Sequence, residues 1–460
     1  MKHLVLILIF LSPSLSLAQE PKPPEVKQGG EVAADVGVGQ IDEDWFVTTR
    51  VTFGFQLPVP RVDCTPAECM TALKFGVQVP LRWRVVDNAP EDEGTLRDED
   101  WDETADYFKI LRFVEYGAPN EPLHARVGEL GPVTVGHGTL VNGYLNVITP
   151  DAFRWGIHSN VNTVYGGAQF MLNDVVDPNI WATRIYARPW GFIDQESFWH
   201  RLAVGFTVAA DASAPLELRR DINGEIVVEP GVAPEVSDQT WTTFTGIDVE
   251  LSLLNTELIR LTPYTDFNVH WGQSPGYHLG VLASISPLET LRVDSRLEFR
   301  WLGENYIADY FGALYEVERY QFSGWGSPLP APKLRVAANR DQGSVLGLYG
   351  DLGFTFFDFI RVWGSYADYE GPDNGSLRLR LDLSRVGPVQ LGAFYAKDGM
   401  DSPLDIADLD QALLVAEARY YVFGPAYVRA DYTRTWRLVD DGSYDSIDTW
   451  NIGGGVAFQF

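Results

Sequence analysis

The feature that most constrains this chain is a two-residue alternation of apolar and polar side chains, held over long stretches. In 73–85, Leu73, Phe75, Val77, Val79, Leu81, Trp83 and Val85 fall on one face, with Lys74, Gln78, Arg82 and Arg84 on the other. In 291–301, Leu291, Val293, Leu297, Phe299 and Trp301 alternate with Arg292, Asp294, Arg296, Glu298 and Arg300. Leu377, Leu379, Leu381 and Leu383 alternate with Arg378, Arg380, Asp382 and Ser384. A period of two is that of a strand with one apolar and one polar face. Similar patterns run through 45–57, 199–211, 243–253, 258–271, 276–286, 425–437 and 446–460.

These segments run about 10 to 14 residues, whereas strands of soluble domains average about five or six. A tilted strand that crosses a bilayer needs about 9–11. A soluble sandwich would account for the alternation, but not for the length or for the charge density of the polar face. The expected fold class is therefore all-β, a transmembrane antiparallel β-barrel with its apolar face to lipid.

The connections have a matching rhythm. Short turns at 254–256, 286–288, 357–358, 386–388 and 423–425 alternate with longer polar segments at 87–106, 212–241, 304–342 and 398–410. Barrels of the bacterial outer membrane have short periplasmic turns, long external loops and aromatic girdles. Trp83, Trp271 and Trp301 lie at the long-loop ends of their strands, where the outer girdle belongs. The pattern predicts an even number of strands, about 20 and between 16 and 20. Its weak stretch is 117–160, where Gly128, Gly131, Gly136, Gly138 and Gly143 interrupt the alternation.

The two ends of the chain give an address. Lys2 and His3, the apolar run Leu4–Leu11 and Ser16-Leu17-Ala18 read as a secretory signal over 1–18, cut after Ala18. Residues 19–30 then form a short periplasmic tail, and 31–460 a single barrel domain. At the other end Trp450, Ile452, Val456, Phe458 and the terminal Phe460 share one face. This segment resembles the C-terminal sorting strand of Gram-negative outer-membrane barrels, porin-like proteins among them. The resemblance implies an outer-membrane location, recognition of Trp450, Val456, Phe458 and Phe460 by the barrel-assembly machinery, and contact with lipid and lipopolysaccharide. A homo-oligomer is compatible with it.

Composition bears on partners. A formal net charge of −28 argues against nucleic acid, whose phosphates require a basic stripe. The chain has 28 Arg against 7 Lys, and the alternation sends the arginines to the lumen. Arg is always charged and forks onto carboxylates, which suits a crowded polar interior. Arg292, Asp294, Arg296, Glu298, Arg300, Arg378, Arg380 and Arg429 are the expected pore-lining set. They form either a self-neutralised lattice or a ladder for anionic solutes. Arg378 and Arg380, with no acid between them, are the better candidates for an anion track.

Two segments stand out from the strands. The stretch 136–146, GHGTLVNGYLN, is either a wall strand kinked by glycine or an inward-folded constriction, with His137, Asn142 and Tyr144 as constriction or plug residues. The segment 304–342 carries Tyr306, Tyr310, Phe311, Tyr315, Tyr320, Phe322 and Trp325. It is too aromatic for a free loop and is expected to pack over or into the barrel mouth. The acidic run 87–106 reads as a solvated external loop or a cation-collecting mouth. Cys64 and Cys69, in a periplasmic connection, are expected to form a local disulfide.

No metal site and no cofactor is expected. His270 with Asp266, and His278 with Ser284 and Ser286, would be the raw material for rim catalysis. No nucleophile motif or phosphate loop accompanies them, so no catalytic residue is assigned and an enzyme is not expected. The expected function is a porin-like channel for small polar or charged solutes. The alternatives are a plugged scaffold barrel that presents its loops, and a rim enzyme.

Overall fold

The computed structural model of the chain describes residues 28–460, apart from 42, 63–68, 89–93, 98–99, 102–106, 120, 149–153, 224, 228–233, 326, 340–342, 358 and 439–443. The signal segment, nearly all of the tail, Cys64 and most of the acidic run therefore lie outside the described residues.

Twenty strands follow one another around a closed wall. The first ten are β1 (Gly29–Ile41), β2 (Asp44–Pro60), β3 (Met70–Val86), β4 (Leu111–Tyr116), β5 (Leu123–Gly128), β6 (Gly156–Thr163), β7 (Gly166–Leu172), β8 (Ile180–Ala187), β9 (Leu202–Leu218) and β10 (Val236–Leu251). The second ten are β11 (Ile259–His270), β12 (Pro275–Leu288), β13 (Leu291–Leu302), β14 (Val345–Phe356), β15 (Ile360–Tyr369), β16 (Gly375–Val386), β17 (Val389–Met400), β18 (Ala412–Phe423), β19 (Ala426–Leu438) and β20 (Tyr444–Gln459). Each pairs antiparallel with its neighbours, and β1 closes the wall on β20 from Glu31↔Gln459 to Gln40↔Trp450. Closure leaves no edge, the condition for a sheet to stand in hydrocarbon with its backbone groups paired. The all-β antiparallel barrel and its strand number agree with the sequence expectation.

Gly29, where the first strand begins, and Phe460 lie at one rim, called here the terminal rim. Most connections there are short: 164–165, 289–290, 387–388 and 424–425 join strands directly. The longest, 188–201, winds into two 3-10 turns, Pro189–Phe192 and Phe198–Arg201. The opposite rim carries the long segments 87–110, 129–155, 219–235, 303–344 and 401–411.

Alternation decides what each face of the wall presents. Outward residues such as Ile185, Phe206, Ile247, Leu297 and Leu348 are exposed and apolar. Trp45, Trp83, Trp241, Trp271 and Trp301 ring the opposite rim, and Phe357, Tyr420, Phe423, Phe458 and Phe460 the terminal rim. An apolar band between two aromatic girdles is the surface that a bilayer matches.

The C-terminal strand is fastened at its last residue. The Phe460 amide donates to the Gly30 carbonyl at 3.0 Å, and the Gly30 amide donates back at 2.9 Å. The Phe460 ring meets Phe55 edge-on at 5.7 Å. Gly30 makes room for that ring: a Cβ there would lie 2.6 Å from Cζ of Phe460. Trp450 packs edge-on against Trp45 at 5.3 Å.

The main apolar core lies inside the barrel. The described residues of two connections from the opposite rim, 129–155 and 303–344, fold inward instead of outward. The segment 136–146 thus adds no wall strand. The inner strands Val133–Val135 and Val141–Tyr144 of the first connection pair with each other, and Phe311–Gly312 joins Val141–Asn142 in parallel, tying the two inward segments together. Gly136 (φ 62) and Gly138 (φ 80) hold left-handed conformations on either side of His137, which the turn requires. Two short helices follow, α1 (Tyr315–Glu318) and α2 (Lys333–Ala338). Tyr144, Tyr306, Tyr310, Phe311 and Tyr315 are fully buried and pack with Phe244, Leu302 and Tyr349 of the wall.

Candidate functional site in the lumen

The lumen face is a lattice of ion pairs graded along the barrel axis. On β13 the inward residues run from half-exposed to fully buried. Arg292 and Asp294, near the terminal rim, pair at 2.8 Å with 48% and 46% of their side chains exposed. Arg296 pairs with Asp351 of β14 at 3.3 Å and stacks over the Tyr349 ring at 3.9 Å. Deepest, the fully buried Arg300 bonds Glu298, Tyr369 and both oxygens of Asp309, the last at 3.0 and 3.2 Å. Glu298 also receives Tyr264 and contacts His278 at 3.0 Å. Buried charges are tolerated when their hydrogen-bonding capacity is met in this way.

Carboxylate partners, one on the next strand and one on the same strand, occupy Arg378 and Arg380, which the sequence reading offered as an anion track. No acid lies between them in sequence, but Arg378 forks onto Asp398 of β17 at 2.8 and 2.9 Å. Arg380 forks onto Asp382 at 2.6 and 3.2 Å. Arg429 pairs with Asp431 at 2.6 Å, and Arg50 bridges Asp35 and Asp431. For most of the described wall the self-neutralised lattice is what the geometry gives. The acidic run is likewise not wholly solvated: Asp100 is buried, held by Arg82 and by Arg97 at 3.1 Å.

The inward segments are pinned to this lattice. His137 sits between two wall carboxylates, with Nδ1 2.8 Å from Asp266 and Nε2 2.8 Å from Glu250. Its ring stacks on Tyr264 at 4.0 Å, and its carbonyl accepts from Arg296. Thr139 donates to the second oxygen of Asp266 at 2.7 Å. Burial pulls the imidazole pKa down, but the hydrogen bonds and charges of Asp266 and Glu250 outweigh it and lift the value to about 9. His137 is therefore an imidazolium at neutral pH, donating on both sides.

Asn142 faces Asp309 at 3.4 Å, and the buried Tyr144 donates to Glu316. Farther along, Tyr315 donates to Asp211 of β9 at 2.8 Å, Arg319 pairs with the same carboxylate at 3.0 Å, and Lys333 pairs with Glu318 at 2.7 Å. Burial pushes the Glu318 carboxyl up; Lys333 lowers it and Asp398 raises it again. The two segments thus reach from β9 to β17 across the lumen.

His137, Asp248 and Asp266 bring ligand atoms within 4.8 Å of one another. Arg184 already occupies Asp248 at 2.9 and 2.6 Å, and both His137 nitrogens are taken by carboxylates. The group is satisfied as a charge cluster, and no metal is assigned to it. Of the groups weighed for catalysis, His270 Nε2 meets Thr242 at 2.7 Å, His278 meets Glu298 and Tyr306, and Asp266 serves His137.

Below the inward segments, toward the terminal rim, lies a cavity of about 600 Å³. Its roof is built from Pro132, Thr134, His137, Asn142 and Ala313, and its walls come from β11 to β17, mostly their terminal-rim halves, with Arg378 of β16 farther in. Sequence reasoning missed Asp211, Glu250, Asp309 and Asp398. Each is an isolated acid at a lumen-facing or inward position, and only the strand register shows which cation it meets.

A closed, apolar-belted wall with a charged interior defines the class: a transmembrane antiparallel β-barrel of the kind that occupies the bacterial outer membrane. No protein-family model and no curated protein matches the sequence. Among solved structures, the chain is similar to the outer membrane protein opdK of Pseudomonas aeruginosa, at 9% identity and TM-score 0.34, over 94% of this chain and 99% of that one. It is similar to OccK5 (OpdH) of the same organism, at 11% identity and TM-score 0.32, over 94% and 98%. The ferric enterobactin receptor PfeA overlaps at 10% identity and TM-score 0.34, over 94% and 82%. The class assignment rests on the closed strand pairing and the belted exterior, not on these overlaps.

Proposed function

We propose that the chain is a porin-like channel of the outer membrane for passive passage of small polar or charged solutes. The inward segments 129–155 and 303–344 would set what passes. The observation that carries this reading is the charged lumen opening into a cavity directly beneath those segments. A structural barrel has no need of a hydrated, charge-lined chamber, whereas selectivity in pores comes from such linings.

The test is conductance of the refolded protein in a planar bilayer under a salt gradient. Stable open steps support the channel. A silent, correctly folded barrel supports the second reading, a plugged scaffold, which the pinning of the inward segments from Asp211 to Lys333 favours. Deleting 304–342 separates the two: a plugged barrel gains large conductance, and an open one changes little.

A further inference from the structure

The cavity presents more guanidinium than carboxylate groups in an acidic chain. The chain carries a formal net charge of −28, yet the cavity is lined by four guanidinium groups, of Arg260, Arg296, Arg378 and Arg380, against the carboxylates of Asp294 and Asp351. Asp382 and Asp398, the partners of Arg380 and Arg378, are not among the residues that line it. Arg260 differs from the other three: among the described residues it has no carboxylate, and its one hydrogen bond goes to Ser284 Oγ at 3.3 Å. A guanidinium with most of its donors unspent, in a concave site, is a ready partner for a carboxylate, sulfonate or phosphate oxygen.

The remaining lining mixes polar groups, Thr134, His137, Asn142, Thr262 and Ser284 among them, with an apolar patch. Trp363 of β15 and Phe394 of β17 flank Arg380 in register, and Ala313 and Pro132 face them from the roof. About 600 Å³ lies within the range of chambers that hold small organic ligands. The position along the axis fixes the entrance. Arg260 is the second residue of β11 and Trp363 the fourth of β15, both counted from the terminal rim. The His137 turn closes the other side.

We infer that this chamber is a binding site for small organic anions with an apolar body, loaded from the terminal rim. This deepens the channel reading and rests on it for the route, but not for the binding.

The test uses the refolded full-length protein and benzenesulfonate, whose charge does not change with pH. Calorimetry should show saturable binding of benzenesulfonate and none of benzyltrimethylammonium. Arg260→Gln should weaken the affinity roughly tenfold, the effect of losing one charge-assisted contact, and the affinity of the unaltered protein should fall as salt rises. In bilayers holding protein of one verified orientation, benzenesulfonate should block from the terminal-rim side only. Equal binding of the cation, no binding, or an unchanged Arg260→Gln affinity with native heat-modifiable migration would overturn the anion site. Equal block from both sides would overturn the entrance. Binding by calorimetry in a silent barrel would keep the site and reject the channel.

Discussion

His137 is the single residue through which the first inward segment is most heavily charged against the wall, so its removal is the sharpest probe of that segment. His137→Ala deletes two charge-assisted hydrogen bonds of 2.8 Å and leaves Asp266 and Glu250 without their shared cation. Each such bond is worth about 1.5–3 kcal/mol. The pKa gives an independent figure of the same order. Raising a buried imidazole from 6.5 to about 9 corresponds to ~3 kcal/mol of linked docking free energy. The sign follows from the direction of the shift. The stabilisation is complete below pH about 6.5 and is lost as pH rises through about 9. The groups that face the ring are Asp266, Glu250, Asp248, Arg184, Arg296 and Tyr264. A loss of ~3 kcal/mol shifts a docked-to-undocked ratio by roughly 150-fold. Single-channel recording at pH 7 and pH 10 reads this out. The unaltered protein should show more frequent openings at pH 10, while His137→Ala should open often at both values and lose the pH step. His137→Gln, which keeps the bulk but not the charge, should behave like His137→Ala. Identical gating of all three proteins at both pH values would refute the idea that the charge on His137 holds the inward segment to the wall.

Other expectations are simpler. Gly30→Val places a side chain where the Phe460 ring sits and should impair assembly, as should deletion of Phe460; native heat-modifiable migration of both variants would remove the closure argument. Deletion of 304–342 should leave single-channel conductance little changed if the barrel is the open channel proposed above, and a large gain would show that the segment plugs it. Mass spectrometry of the exported protein under non-reducing conditions should find Cys64 and Cys69 two hydrogens lighter than the reduced form, and two alkylatable thiols would count against the disulfide.

Most of the wall was legible in the sequence because the side-chain period of a strand is two and because lipid on one side and charge on the other enforce it. Leu291 to Trp301 shows this plainly: every inward residue is charged or polar, and every outward one is apolar apart from small exceptions. The stretch 136–146 was ambiguous for a physical reason. Residues buried between wall and inward segment need no lipid face, so Leu140, Val141 and Tyr144 carry no phase that separates an inner hairpin from a wall strand. The pairing of the lumen charges was hidden for another reason. Arg378 meets Asp398 by register between adjacent strands, across 20 residues of chain, and one-dimensional spacing carries no register. The aromatic richness of 304–342 did signal burial, since Tyr310 and Tyr315 could not be left in water at no cost.

The two neighbouring arginines that sequence spacing groups together are set apart by depth, and that separation can be measured. Arg378 holds Asp398 with about an eighth of its side chain exposed, and Asp398 in turn contacts Glu318 of α1. Arg380 and Asp382 are 39% and 40% exposed. Breaking a buried pair by removing one partner costs about 3–5 kcal/mol, and an exposed pair contributes about 0–1 kcal/mol. Arg378→Ala should therefore leave Asp398 and Glu318 facing each other, loosen α1 and lower the thermal stability of the inward segment. Arg380→Ala should leave stability unchanged and move the reversal potential in a salt gradient toward cations, because Asp382 then faces the chamber mouth alone. Hydrogen exchange over 315–338 reads the first effect and planar-bilayer potentials the second. If Arg380→Ala loosened α1, or if Arg378→Ala shifted selectivity without changing exchange, the depth grading of the lattice would not govern how its charges are used.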